Sequence, residues 1–325
     1  AMQVALTMER PGPHPLIDAA AAAVTHSHVR AVRALFDTLP DLYPVDISVI
    51  GFHGQTVAHR PERGWTWQIG DGAGMARELG IRVVDDFRSA DVAAGGQGAP
   101  LVPVYHRALA AGLPKPLAIL NLGGVGNISF IGAGGTLIAF DTGPGNALID
   151  DWIQARAGHT HDAGGMIAAS GTVDRQALAA MLDNPWFDSP PPKSLDRNDF
   201  SASAVRGMAI GDGAATLTAF TAHSVARALA HLPQRPRSML VAGGGRHNMQ
   251  LMKMIREVAD VPVEPVDSVG WSGDATEAEA FAYLAVRSMA GLPTSFPLTT
   301  GVAQPVCGGR LNLPGHDMPG RISHA

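Results

Sequence analysis

Residues 117–145, LAILNLGGVGNISFIGAGGTLIAFDTGPG, constrain the fold more than any other stretch. Three apolar runs of strand length are divided by a glycine turn and a tight Gly-Gly turn. The third run ends in a lone acidic residue, Asp141, followed by Gly-Pro-Gly. The flanking pattern alternates between periods of 3.6 and 2. Residues 15–38 predict an alanine-rich helix, 45–56 a buried strand entering a polar loop, 65–70 a second strand, and 71–80 a helix closed by Gly80. Residues 81–87 predict a strand, and an alanine-rich helix then runs to the LPKP break at 113–116. Beyond the three-strand segment come a long helical stretch, a proline-rich loop at 183–200 and a helix at about 207–231. A strand ending in glycines follows at 238–248, then a strand in VPVEPVD and a helix at 275–291. This alternation specifies an α/β chain with mixed, mostly parallel sheets flanked by helices.

Composition narrows the class. The 325 residues are 46% apolar and include 38 glycines and 24 prolines, which suits a loop-rich globule large enough for two cores. A net charge of −5 with no basic cluster argues against nucleic-acid or acidic-membrane partners. The single cysteine, Cys307, excludes an internal disulfide framework and a cysteine zinc site, and no apolar run approaches bilayer length. The 13 histidines show no zinc-binding spacing, so no metal held by the protein is expected. These features predict a cytoplasmic protein.

Two glycine-rich turns follow predicted strands, NLGGVGN at 121–127 and VAGGGRHN at 241–248. Glycine there lets backbone N–H groups approach a phosphate, although a plain hairpin or strand-to-helix turn reads the same way. Asp141 could cap the segment after Gly145 or carry chemistry, and its own neighbours leave both open. His53 and Gln55 in GFHGQT could meet a ligand or satisfy loop backbone. Arg88 and Asp91 could pair with each other, and such ion pairs are usually structural. Glu277 lies one turn from Phe281 and is expected on the buried helix face, with Glu279 exposed.

The blocks GFHGQTVAHRP, WQIGDG, VVDDFRSADVAAGGQGAPLVP, LNLGGVGNIS, FDTGPGNALIDDW, PPKSLDRNDF, VAGGGRHN and SGDATEAEAFAYLA occur in this order from about residue 45 onward. Together they resemble the anhydro-N-acetylmuramic acid kinases, members of the sugar-kinase, actin and Hsp70 superfamily. The resemblance implies a two-lobed actin-like, ribonuclease H-like ATPase fold, with lobe I at 1–112 plus 294–325 and lobe II at 113–293. It implies an enzyme that opens the 1,6-anhydro ring with water and phosphorylates O6 with ATP and Mg2+ in cell-wall recycling, and that forms a homodimer. It assigns Asp141 as the catalytic base. It places Gly123, Gly124, Asn127, Gly143, Gly243, Gly244, Gly245 and Asn248 at the nucleotide, and His53, Gln55, Arg88, Asp91, Gln97 and Glu277 at the amino sugar. Family members also carry a GTSxDG loop that approaches the γ-phosphate. AMQVALTMERP offers none, so lobe I is expected to lack that segment, by truncation or as a natural variant. Two further readings follow: a catalytically impaired sugar- or nucleotide-binding remnant, and a kinase for another amino sugar.

Overall fold

In the computed structural model, which describes residues 1–197 and 199–315, the chain forms two compact units. One comprises Ala1–Tyr105 with Glu277–Ala325, the other His106–Thr276.

The first unit holds strands β1 (Ile50–Gly51), β2 (Gln55–Arg60), β3 (Trp65–Ile69), β4 (Val83–Asp85) and, returning late in the chain, β10 (Arg310–Asn312). Strand β1 runs parallel to β4 and β10 antiparallel to it, while β2 and β3 form a hairpin. The carboxylate of Asp85 ties β10 in place: Arg310 Nε and Nη2 donate to its two oxygens at 3.1 and 3.0 Å. Helix Pro15–Thr38 starts where its sequence dictates, with proline in the first turn and His14 Nδ1 accepting from the Leu16 N–H. Its Ile17 packs with Val57 and Ile69 of the hairpin, and its Val29 with Phe52 and Met75. The strand expected over 45–56 is much shorter. Pro44 lacks an N–H for a ladder, and the Tyr43 N–H donates to Asp46 Oδ2 at 2.9 Å, which winds 44–46 into a 3-10 turn instead.

The second unit is built on strands β5 (Leu117–Leu122), β6 (Val125–Ile131), β7 (Leu137–Pro144), β8 (Ser238–Ala242) and β9 (Val263–Pro265), in the order β7-β6-β5-β8-β9. Only β6 runs against the rest. This 3-2-1-4-5 order with a reversed second strand is the ribonuclease H-like arrangement. The sheets are mixed rather than mostly parallel: three of the seven pairings between named strands are parallel and four antiparallel. The physical reason lies in the short glycine turns, since connections as tight as 123–124 and 132–136 join antiparallel neighbours.

Alternation along β5 sends Ala118, Leu120 and Leu122 to one face. There they meet Ala222 and Val225 of helix Ile210–Leu229 and Leu251 and Ile255 of helix Met249–Ala259. Leu117 and Ile119 are buried too, so the strand reads as a continuous apolar run. A second cluster gathers Ile149 and Trp152 of helix Ala147–Ala157 with Phe187 and Phe220. Among the described residues no helix is long and apolar enough to cross a membrane.

Candidate active site

Asp141 sits at a break in its own strand. On β7 it pairs with Asn127 of β6, yet Gly143 pairs with Gly126, so Thr142 is an extra residue bulged out of the ladder. Bulges re-aim the side chains beside them. The Thr142 hydroxyl is buried without a hydrogen-bond partner among the described residues. The loop at 193–195 lies against the strand here. The Asp141 N–H donates to the Lys193 carbonyl at 3.0 Å, and the Leu195 N–H donates to Asp141 Oδ2 at 2.7 Å. Among the described residues Oδ1 has no hydrogen-bond partner. Burial pushes the Asp141 carboxyl up to about 7, with the Leu195 amide pulling the other way. A carboxylate titrating near neutrality is matched to accepting a proton from water.

Three turns converge at the carboxyl ends of the parallel strands β5 and β8, the place where open α/β sheets receive ligands. The carbonyls of Gly123 and Gly124 accept from the N–H groups of Asn146 and Gly145, at 2.7 and 2.9 Å. Contact is so close that a Cβ on Gly145 would lie 2.2 Å from the Gly123 oxygen. Asn146 Nδ2 donates to the Leu122 carbonyl at 3.0 Å, and Gly245 packs on Leu122 beside Asn146. Gly243 has φ 78 and ψ 174, a conformation essentially reserved for glycine. The N–H groups of Gly123, Gly124, Gly243, Gly244 and Gly245 donate to no backbone or side-chain acceptor among the described residues. Such a cluster of free amides is suited to phosphate oxygens. Arg246 fixes the second turn from behind. Its side chain is only 3% exposed, donates to the Gly243 carbonyl at 3.0 Å, and reaches Asp267 and Asp274 at 3.0 and 2.9 Å.

The remaining nucleotide candidates flank these turns, with the Asn248 N–H donating to the Gly245 carbonyl at 3.0 Å. Gly143 is buried against Ser224 and Phe187, so packing there requires glycine. Asn127 stands across from Asp141. Asn248 caps helix Met249–Ala259 by accepting from the Leu251 N–H at 2.9 Å. Among the described residues no three His, Cys, Asp or Glu side chains are grouped to hold a metal ion.

In the first unit, five of the six sugar candidates form one cluster. Arg88 Nε donates to His53 Nε2 at 2.9 Å and Nη1 to the Gly98 carbonyl at 2.7 Å. His53 is thereby the Nδ1–H tautomer, facing the Gly54 carbonyl at 3.0 Å, and burial together with Arg88 lowers its pKa to about 4. Burial also draws Arg88 down to about 10, opposed by the negative charges of Glu277 and Asp91.

Arg88 and Asp91 do not pair with each other. Asp91 is fully buried, with Oδ2 accepting from the Gly98 N–H and Oδ1 from Thr300 Oγ1, both at 2.6 Å. Local backbone and a neighbouring hydroxyl saturate it before a guanidinium can. Gln97 is held through its N–H, which donates to the Thr300 carbonyl at 2.6 Å. Glu277 is exposed rather than buried, although Thr276, Ala280, Phe281, Leu284 and Ala285 of the same helix are buried. Glu279 is exposed, as its position implied, and accepts from Tyr105 Oη at 2.7 Å. Gln55 stands outside this cluster, exposed, with Nε2 donating to the Thr56 carbonyl at 3.3 Å.

Beside His53 lies a cavity of about 260 Å3 walled in part by Asp85, Asp86 and Arg310. Asp86 there holds φ 52, an unusual conformation for a residue with a side chain.

Sequence comparison places these features. A sequence profile described as anhydro-N-acetylmuramic acid kinase matches residues 8–313. The chain is 62% identical over 315 residues to an anhydro-N-acetylmuramic acid kinase of Rhizorhabdus wittichii, covering 97% of this chain and 86% of that one. A relative of the same description from Zymomonas mobilis is 54% identical over 312 residues, covering 95% and 85% respectively. One from Paramagnetospirillum magneticum is 58% identical over 290 residues, covering 88% and 81%. With a carboxylate poised near neutrality, a glycine-amide cluster at the strand ends and this likeness along nearly the whole chain, the protein belongs to the anhydro-N-acetylmuramic acid kinase family.

Proposed function

We propose that this chain uses ATP and water to convert 1,6-anhydro-N-acetylmuramic acid into N-acetylmuramic acid 6-phosphate, a cytoplasmic step of cell-wall recycling, and that it works as a homodimer. The observation that carries the chemistry is Asp141: one oxygen held by an amide, the other without a partner among the described residues, and a pKa of about 7. Asp141 takes a proton from water as the water oxygen bonds to the anomeric carbon. The C1–O6 bond breaks, O6 carries the electron pair to the γ-phosphorus, and ADP leaves. The amides of the glycine turns at 123–124 and 243–245 are suited to hold phosphate oxygens, and Mg2+ arriving with ATP neutralises their charge. Arg88, oriented by His53, is proposed to meet the sugar with Nη2, which has no hydrogen-bond partner among the described residues, alongside Gln97, Glu277 and Gln55; Asp91 acts by holding the 96–98 loop.

Incubation with Mg-ATP, the anhydro sugar and 18O-water tests this reading. It requires 18O at C1 and phosphate at O6, and ADP release in equal amount. Well-folded protein that binds the sugar yet yields no 6-phosphate would favour a non-catalytic remnant. Preference for an unbridged hexosamine would instead favour a different kinase.

The ionisation of Asp141 sets the pH dependence. A base works only when deprotonated, so kcat should fall about tenfold per pH unit below about pH 7 and level off above it. His53 stays neutral and Arg88 charged across that window, since they titrate at about 4 and about 10. A profile flat from about pH 5 to 9 would count against Asp141 as the base.

Replacing Arg88 with Met removes the guanidinium while keeping much of the side-chain bulk. The KM for the sugar should rise by about tenfold or more, with the KM for ATP little changed. Equal rises in both constants would show that Arg88 supports the fold rather than the sugar.

A further inference from the structure

PPKSLDRNDF stands out in the sequence, yet none of its residues has a part in the reaction outlined above. Residues 189–197 carry no helix or strand, and the described loop is held by a few bonds. Two of them meet Asp141: its N–H donates to the Lys193 carbonyl, and its Oδ2 accepts from the Leu195 N–H. The loop's own anchor is the Lys193 side chain. Nζ donates to the Trp186 and Phe187 carbonyls at 3.1 and 2.9 Å and lies 4.4 Å from the centre of the Trp186 ring. Phe187 is fixed in turn, with its ring 2% exposed among Phe200 and Phe220 and its carbonyl 2.7 Å from His231 Nε2.

The geometry points to Lys193 as a positioning residue that pins the 193–195 segment to the Phe187 turn and so keeps the Leu195 N–H on Asp141 Oδ2. This inference rests on the reading of Asp141 as the base. The Leu195 amide is the one described group that favours the charged form of Asp141 against burial, and no ionised side chain enters that balance. Lys193 itself faces Asp188, and farther along the loop Arg197 pairs with Asp151 at 2.6 Å. If the pin is removed, the amide drifts away, the carboxylate loses its hydrogen bond from Leu195, and its proton is held more tightly.

The test compares the full chain with its Lys193→Met and Lys193→Arg variants. The Asp141 carboxyl is titrated by carbon-13 NMR, its signal identified by its absence from Asp141→Asn, and kcat is measured against pH. Lys193→Met should move both midpoints up by about one pH unit and lower kcat at pH 7 about fivefold. Both KM values should stay within about twofold, and Lys193→Arg should restore most of the loss. If Lys193→Met does not fold, Lys193→Gln retains an NH2 group that can still donate to the Phe187 turn and should give a smaller upward shift. An NMR midpoint unmoved in a folded variant overturns the proposal, even if kcat falls, because a merely structural lysine would act that way. Because the NMR titration needs no turnover, a chain lacking kinase activity would defeat the proposed reaction while the Lys193–Asp141 coupling is still decided.

Discussion

Asp141→Asn should eliminate 6-phosphate formation, lowering kcat by about three orders of magnitude while leaving the fold intact. An amide cannot take a proton from water, but its Oδ1 still accepts the Leu195 N–H, so the clamp at 2.7 Å has a ready substitute. Thermal melting against pH separates loss of the base from loss of structure. The folded pKa of Asp141 is raised from 3.8 to about 7, so the folded state holds this proton more tightly than the unfolded chain does. The stabilisation from this group is therefore complete below about pH 4 and is lost as pH rises through about 7. The asparagine variant has no such loss. Its Tm relative to the parent should climb across that window and be equal or higher at pH 8. A variant that keeps turnover, or one that melts well below the parent at pH 8, would contradict the assignment.

Gly243→Ala should be the most damaging change at the nucleotide turns. At φ 78 and ψ 174 an alanine is strained by about 1–3 kcal/mol. Its Cβ would also lie 2.6 Å from Asn121 Oδ1 and 2.7 Å from the Leu122 carbonyl oxygen. Backbone cannot yield as a side-chain tip can, so the turn must shift and carry the Gly244 and Gly245 amides with it. Misplacement on that scale should raise the KM for ATP by about a hundredfold. Sugar binding measured by calorimetry should persist, because the sugar candidates other than Asp141 belong to the other unit. ATP affinity equal to that of the parent would dissociate these amides from the nucleotide.

Local signals made much of this legible in the sequence. Helix 15–38 announced itself through its alanine content and apolar spacing, and helix 72–79 through the Gly80 stop. The three strands at 117–144 followed from their glycine turns. What escaped detection acts through the main chain or at long range. Leu195 contributes an N–H that any residue but proline could supply, so no side-chain pattern marks it. Thr300 meets Asp91 across 209 positions, and that distant hydroxyl took the place that Arg88 could have filled. Arg246 lay inside GGGRHN, where the glycines drew attention from the cation that braces them. Glu277 was misplaced because helical periodicity names a face but not which positions on it are covered.

The extra residue at Thr142 has a consequence for how such a gene can vary. Asp141 and Gly143 stand two positions apart yet pair with adjacent residues, so removing Thr142 would close the bulge and re-aim Asp141 while leaving the ladder on both sides in register. Substitutions at Thr142 can be absorbed by degrees, but a change of length cannot. Codon deletions and insertions within FDTGPGN should therefore be purged even where single exchanges survive, leaving a segment whose spacing is more rigidly inherited than its letters.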